Sequence, residues 1–111
     1  MRGESLKGHL DLLVLAVLAE GPLHGYAVID ALRDRSDEAF DLPEGTVYPV
    51  LHRLERADLL TSSWQEVGGR RRRTYRLTDT GRRILGAERA AWYEFSAAVA
   101  RVLKGPSWTT N

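Results

Sequence analysis

Leu10 and residues 12–19 form an apolar run that only Asp11 interrupts and that Gly21-Pro22 ends. At 3.6 residues per turn, a helix of this composition is hydrophobic on all sides and has to be covered all round. A buried strand is the alternative, but the length of the run and its Leu and Ala content favour a helix. A single small domain rarely surrounds one helix completely. We therefore predict that part of this first helix faces a second subunit.

The chain has 111 residues, of which 43% are hydrophobic and 28% charged, and these values predict one globular domain with one core. The absence of cysteine excludes disulfides, thiolate chemistry and Cys-based zinc sites. No apolar span approaches the roughly 18 residues needed to cross a membrane, and the apolar run lacks the flanks of a secretory signal. We therefore expect a cytoplasmic protein with no membrane contact.

The remaining pattern predicts three more helices, over residues 24–36, 44–57 and 79–103. It also predicts two short strands, over residues 61–67 and 74–77. Gly68-Gly69-Arg70-Arg71 between the strands is typical of a hairpin turn. Thr78 is placed to cap the last helix, and Gly105-Pro106 to end it. Residues 105–111 are expected to be a flexible tail.

The third helix has two chemically different faces. Its apolar residues lie within about 100° of one another and form the buried face: Val47, Val50, Leu51 and Leu54. The free face and its edges carry Gly45, Thr46, Tyr48, Pro49, His52, Arg53 and Arg56. Small residues let a backbone approach a DNA groove, and Tyr, His and Arg bond phosphates or base edges. The face therefore has the composition of a recognition helix, although an ordinary solvated face is the alternative.

Four consecutive arginines follow the glycines of the hairpin: Arg70, Arg71, Arg72 and Arg73. Side chains alternate along a strand, so two arginines point to each face and the tip can straddle a phosphate backbone. A basic hairpin alone is equally a solvated loop. A polar helix face followed by such a hairpin is the winged helix-turn-helix pattern, which gives a mainly helical α+β fold. We predict this DNA-binding domain over residues 1–78 and a C-terminal dimerisation helix over residues 79–104.

The net charge of +1 conceals an uneven distribution. Residues 1–44 sum to −5, residues 45–83 to +5 and residues 84–111 to +1. The basic middle coincides with the predicted recognition helix and wing, so the charge pattern favours a nucleic-acid partner at that site. Fourteen of the 16 basic residues are Arg. This bias suits phosphate and guanine recognition but also arises from genome base composition.

Three segments of the sequence resemble the PadR family of transcriptional regulators. They are LKGHLDLLVLAVLAEGPLHGY at 6–26, EGTVYPVLHRLERADLL at 44–60 and GGRRRRTYRLTDTG at 68–81. The resemblance implies a bacterial winged-helix dimer that represses target promoters. It implies that Thr46, Tyr48, His52 and Arg53 lie on the recognition helix and residues 70–73 on the wing. The single helix after the wing is similar to that of the small-subfamily members.

The last helix carries a broad apolar stripe that no further element of the chain is left to cover. Together with the first helix it predicts an isologous dimer interface. The predicted interface residues are Leu10, Leu13, Val14, Val17, Ala91, Trp92, Phe95, Val99 and Val102. Such a dimer would place two recognition helices about one DNA turn (~34 Å) apart on an inverted repeat.

Trp92 has two interpretations. One is an aromatic residue in the core of the subunit interface. The other comes from the resemblance, because drug-sensing members of the small subfamily carry a Trp eleven positions after the glycine of their LTxxG segment, and Gly81 to Trp92 has that spacing. There the paired Trp residues sandwich planar aromatic compounds. Here Glu88 and Phe95 would lie near Trp92, and an acidic neighbour favours a cationic ligand.

The function predicted from the sequence is a repressor that binds an inverted-repeat operator on double-stranded DNA as a homodimer, with a planar aromatic or cationic molecule as effector. The alternative is a winged-helix module for protein–protein contact. His9, His24 and His52 lack a metal spacing, and no phosphate-binding loop motif is present. We expect no catalytic residues, metal or cofactor. His24 and Tyr26 are interpreted as structural and His9 as a surface or dimer-edge residue.

Overall fold

The computed structural model describes residues 8–106, so residues 107–111 of the predicted tail lie outside the described part. The helices and strands follow in the order α1 (Leu10–Leu18), β1 (Leu23–His24), α2 (Gly25–Arg35), α3 (Glu44–Arg56), β2 (Leu60–Val67), β3 (Arg70–Leu77) and α4 (Asp79–Lys104). The four helices and the small antiparallel sheet confirm the predicted mainly helical α+β winged helix-turn-helix fold, and the long C-terminal helix is present.

The first helix lies at the centre of the core. Leu10, Val14 and Val17 are buried within the single chain, together with residues of α2, α3, both long strands and the start of α4. The chain therefore covers more of α1 than its length suggested. Leu10, Val14 and Val17 are only 3%, 0% and 5% exposed, which leaves almost no surface for the subunit contact that the sequence predicts for them. Leu13, on the less buried side of the same helix, stays partly exposed.

The sheet has the strand order β1-β3-β2, and both pairings are antiparallel. Its third strand, β1, was missed because two residues, Leu23 and His24, carry no readable alternation. The hairpin between β2 and β3 is tighter than predicted, since Val67 pairs directly with Arg70 across Gly68-Gly69. Both glycines have positive φ, at 58° and 79°, as a two-residue turn of this hand requires. All four arginines therefore lie on β3.

The last helix is buried only at its beginning. Thr78 caps it as predicted: its hydroxyl accepts a hydrogen bond from the Gly81 amide at 2.9 Å and donates one to the Asp58 carbonyl at 2.7 Å. Gly81 packs against the Leu59 carbonyl where a Cβ would not fit. Of the 26 residues of α4, only Gly81 and Leu85 are buried, so most of this helix, about 39 Å long, extends beyond the core.

Candidate nucleic-acid interface

The residues predicted for the free face of α3 differ in how far they are exposed to solvent. Pro49, His52 and Arg56 are exposed, whereas Thr46 and Tyr48 are half-buried. The ring of Tyr48 lies directly on Gly25 at the start of α2, in space that a Cβ at Gly25 would occupy, and burial raises the pKa of Tyr48. Tyr48 therefore packs α3 against α2 and leaves only part of its ring to a ligand.

Tyr26 holds the beginnings of the same two helices together. Its hydroxyl donates a hydrogen bond to the Glu44 carboxylate at 3.0 Å, and this bond raises the pKa of Tyr26. Its ring also meets the Tyr48 ring edge-on, with centroids 6.2 Å apart. His24 occupies the N-cap position of α2 without a side-chain cap bond. The structural interpretation of Tyr26 thus acquires a definite contact, which fixes the first turn of α3.

Arg53 does not project toward the free face of α3. Its guanidinium donates two hydrogen bonds to the Asp11 carboxylate of α1, at 2.7 and 2.8 Å, and this pairing raises the pKa of Arg53. The paired planar geometry is the strongest form of an arginine–carboxylate contact. The sequence placed Arg53 at the edge of the recognition face; in this structure it links α3 to α1.

The wing arginines divide between two faces of the hairpin. Directly opposite residues of an antiparallel pair share a face, and Trp64 lies opposite Arg73 while Glu66 lies opposite Arg71. Arg71 and Arg73 are therefore on the face of Trp64, and the alternation of a strand puts Arg70 and Arg72 on the other. Arg71 and Arg73 share a face, as the alternation predicts, because both guanidinium groups lie over the Trp64 ring.

The free face of α3 and the wing enclose one open cleft of about 810 Å³. Basic and aromatic side chains dominate its walls, which are formed by His24, Tyr26, Tyr48, His52, Trp64, Tyr75 and Arg70, Arg71, Arg72 and Arg73. Trp64 was missed as a site residue. The position of Trp64 on β2 indicates a place in the site only once the pairing with β3 is known, because that pairing puts it opposite Arg73.

Trp92 lies on α4 between two further cavities. Its ring lies 4.8 Å from that of His9 and 6.1 Å from that of Phe95. One cavity, of about 290 Å³, is lined mainly by apolar side chains of α1 and α4 together with Phe40. The other, of about 550 Å³, brings Glu88 and Phe95 to Trp92 as predicted and adds Asp11. His9 contacts Trp92 rather than standing alone at the surface.

Two further observations concern residues 8–106. No group of three or more His, Asp or Glu side chains in this part lies close enough to hold a metal ion. None of its helices is both long and apolar enough to span a membrane.

The fold and the basic cleft define a winged helix-turn-helix protein. Residues 14–87 match the model of the transcriptional regulator PadR-like family, and the chain belongs to that family. Over 108 aligned residues it is 39% identical to the transcriptional regulator Rv3488 of Mycobacterium tuberculosis. This alignment covers 97% of this chain and 95% of the relative. The matched family and a similar solved structure from Clostridium thermocellum are both of transcriptional regulators.

Solved structures give the same result. A PadR family regulator from Eggerthella lenta is 36% identical and superposes with a TM-score of 0.80, covering 93% of this chain and 88% of that chain. A PadR-like regulator from Bacillus cereus is 26% identical and superposes with a TM-score of 0.83, covering 94% and 100%. These matches extend over the wing and into α4, so the likeness is not confined to the helix-turn-helix.

Proposed function

We propose that this transcriptional regulator represses its targets by binding an inverted-repeat operator through α3 and the wing. The observation that carries the proposal is the cleft whose walls include the exposed His52 of α3 and the four arginines of the wing. An α-helix fits the major groove of B-DNA, and Arg and His bond phosphates and base edges. The proposed contacts on α3 are Thr46, Tyr48, Pro49, His52 and Arg56. A repressor of this kind acts in the cytoplasm, on the nucleoid.

We propose a homodimer as the active form, because α4 leaves a large apolar surface uncovered. Val102 and Leu103 are 78% and 80% exposed, and Phe95 and Val99 are also exposed. Isolated apolar residues at a surface are ordinary, but a repeated stripe along one helix is typical of an interface. The proposed contacts are Leu13 on α1 and Ala91, Trp92, Phe95, Val99 and Val102 on α4. Two copies would present two clefts to the two halves of an operator.

We also propose an effector site at Trp92. The cavity beside it combines the rings of Trp92 and Phe95 with the carboxylates of Glu88 and Asp11. Aromatic faces and nearby negative charge attract planar cationic compounds. Residues 1–78 then form the DNA-binding domain and residues 79–104 the dimerisation and sensing helix.

A salt titration tests DNA binding. Fluorescence anisotropy with a labelled duplex from the region upstream of the protein's own gene should give an affinity that falls steeply with salt, with a slope of about −0.9 per phosphate neutralised. Arg71→Ala with Arg72→Ala should reduce that slope, and Arg71→Lys with Arg72→Lys should largely preserve it because the charge remains. Arg33→Ala with Arg35→Ala removes the same charge from the end of α2, outside the cleft, and should leave the slope unchanged.

The competing function is a protein–protein module without a DNA target. It predicts no saturable binding to any fragment, or binding that neither salt nor loss of Arg71 and Arg72 changes. Either result would overturn the DNA-binding proposal.

A further inference from the structure

The guanidinium groups of two wing arginines, Arg71 and Arg73, lie over the indole ring of Trp64. The Arg71 guanidinium carbon lies 4.7 Å from the centroid of the indole, and that of Arg73 lies 5.4 Å away. Both distances are within the range of a cation–π contact, and Trp is the strongest aromatic partner for a cation. A planar guanidinium stacked in this way still has its N–H groups at its edge for a phosphate.

Arg73 is the anchored member of the stack. Its Nε donates a hydrogen bond to the Ser62 hydroxyl at 2.8 Å, and a terminal nitrogen lies 3.5 Å from the Glu55 carboxylate. Ser62 in turn donates a hydrogen bond of 2.6 Å to the same Glu55 oxygen. Because Glu55 belongs to α3, this network fixes the base of the wing against the recognition helix.

Arg71 is the free member. Within residues 8–106 its side chain has neither an ion-pair partner nor a hydrogen bond, and the contact of its guanidinium is with the indole of Trp64. Trp64 itself is 54% exposed and lines the cleft that His52 and Tyr48 border on the other side. Four rotatable bonds would otherwise leave the Arg71 side chain spread over many conformations.

We propose that Trp64 is a positioning residue for DNA binding, which holds the Arg71 guanidinium across the cleft for one phosphate of the DNA backbone. The contact with Arg73 and its network to Glu55 sets the distance of that phosphate site from α3. Preordering a long side chain lowers the entropy lost on binding, so the stack contributes affinity without contacting a base. The inference rests on the proposed DNA-binding function.

The test uses the full-length protein in the oligomeric state that it has in solution. The DNA is a duplex that the wild-type protein selects from a random pool. We expect Trp64→Ala and Arg71→Ala each to weaken binding about five- to tenfold. The double variant should be no weaker than the weaker single one, because both remove the same contact. Trp64→Phe keeps an aromatic face and should stay within about twofold of wild type.

The salt slope separates positioning from general damage. Trp64→Ala removes no charge, yet it should make the negative slope of log K against log salt shallower by about 0.9, the value of one phosphate, because the unheld Arg71 no longer occupies that phosphate. Arg70→Ala, on the opposite face of the hairpin, should make the slope shallower independently, and its loss of affinity should add to that of Trp64→Ala. If Trp64→Ala does not fold, Trp64→Thr replaces it, since Thr suits a strand.

Three results would overturn the inference: an unchanged slope in the folded Trp64 variant, additive losses for Trp64 and Arg71, or a Trp64→Phe variant as weak as Trp64→Ala. The last would indicate a direct contact from the indole N–H. Failure of the proposed function is distinguishable, because then the wild-type protein itself selects no duplex or binds it without salt dependence.

Discussion

Arg53 of α3 is joined to Asp11 of α1 by two hydrogen bonds of 2.7 and 2.8 Å. Asp11 also lines the cavity beside Trp92. One carboxylate thus belongs both to the wall of the proposed effector site and to the support of the helix proposed to read DNA. A ligand cation that engaged Asp11 would compete with Arg53 and alter the attachment of α3.

The Asp11–Arg53 pair predicts that the two single variants behave alike. Asp11→Ala and Arg53→Ala should weaken operator binding by a similar factor, and the exchange Asp11→Arg with Arg53→Asp should recover part of the loss. Both side chains are about half exposed, so each variant should change the free energy of unfolding by less than about 1 kcal/mol. Anisotropy titrations and chemical denaturation measure the two effects. Unchanged or tighter binding by Asp11→Ala would instead indicate that Arg53 leaves Asp11 to contact DNA.

Replacing His52 and replacing Arg56 should weaken DNA binding in two different ways, one at a single base pair and the other on every duplex. His52 is exposed at the cleft, and as a base contact its replacement by Ala should cost about 1–3 kcal/mol at one operator position and little elsewhere. Arg56→Ala, as a phosphate contact, should weaken all duplexes by a similar factor. Titrations against operators substituted at each base pair report this difference. Uniform losses for His52→Ala would remove it from the base contacts.

Gly25 and Gly45 form a matched pair for stability. A Cβ at Gly25 would collide with the Tyr48 ring, so Gly25→Ala should destabilise the protein by about 1–3 kcal/mol. Gly45 has open space around it, and Gly45→Ala should leave stability unchanged or raise it by up to about 1 kcal/mol. Urea denaturation measures both. Reduced DNA binding by a stable Gly45→Ala would support a close approach of the α3 backbone to the groove.

The exposed end of α4 should determine the oligomeric state. Val102→Asp with Leu103→Asp places two charges on the most exposed apolar residues of the helix, and we expect a folded monomer with weak operator binding. Sedimentation velocity at micromolar concentration measures the change. Arg101→Ala, on the same turn, should leave the assembly of the wild-type protein unchanged. A double variant that still sedimented as a dimer would exclude this part of α4 from the interface.

Trp92 should report effector binding directly. Planar cationic dyes are expected to quench the tryptophan emission saturably at micromolar concentration, and Trp92→Phe should abolish the saturable part while Trp64→Phe keeps it. Glu88→Gln should weaken a cationic dye more than a neutral one of the same shape, since it removes only the charge. Quenching that does not depend on Trp92 would contradict the site.

Local sequence determined the recognisable elements of this protein. Periodicity located α3 and α4, the paired glycines fixed the hairpin, and Thr78 marked the start of α4, because each signal acts within a few residues of the chain. The segmental charge also indicated where the basic surface lies. Two-residue β1 carried no such signal and depends on β3 for its pairing.

Tertiary structure decided what the side chains of those elements do. Packing placed Leu10 and Val14 in the core of one chain, paired Arg53 with Asp11, and put Arg71 on Trp64. These contacts join residues that are distant in sequence or depend on strand register, and they form because burial and charge pairing are settled only when the elements meet in space. The sequence alone therefore determined the class of surface, and the fold determined which arginines remain free on it.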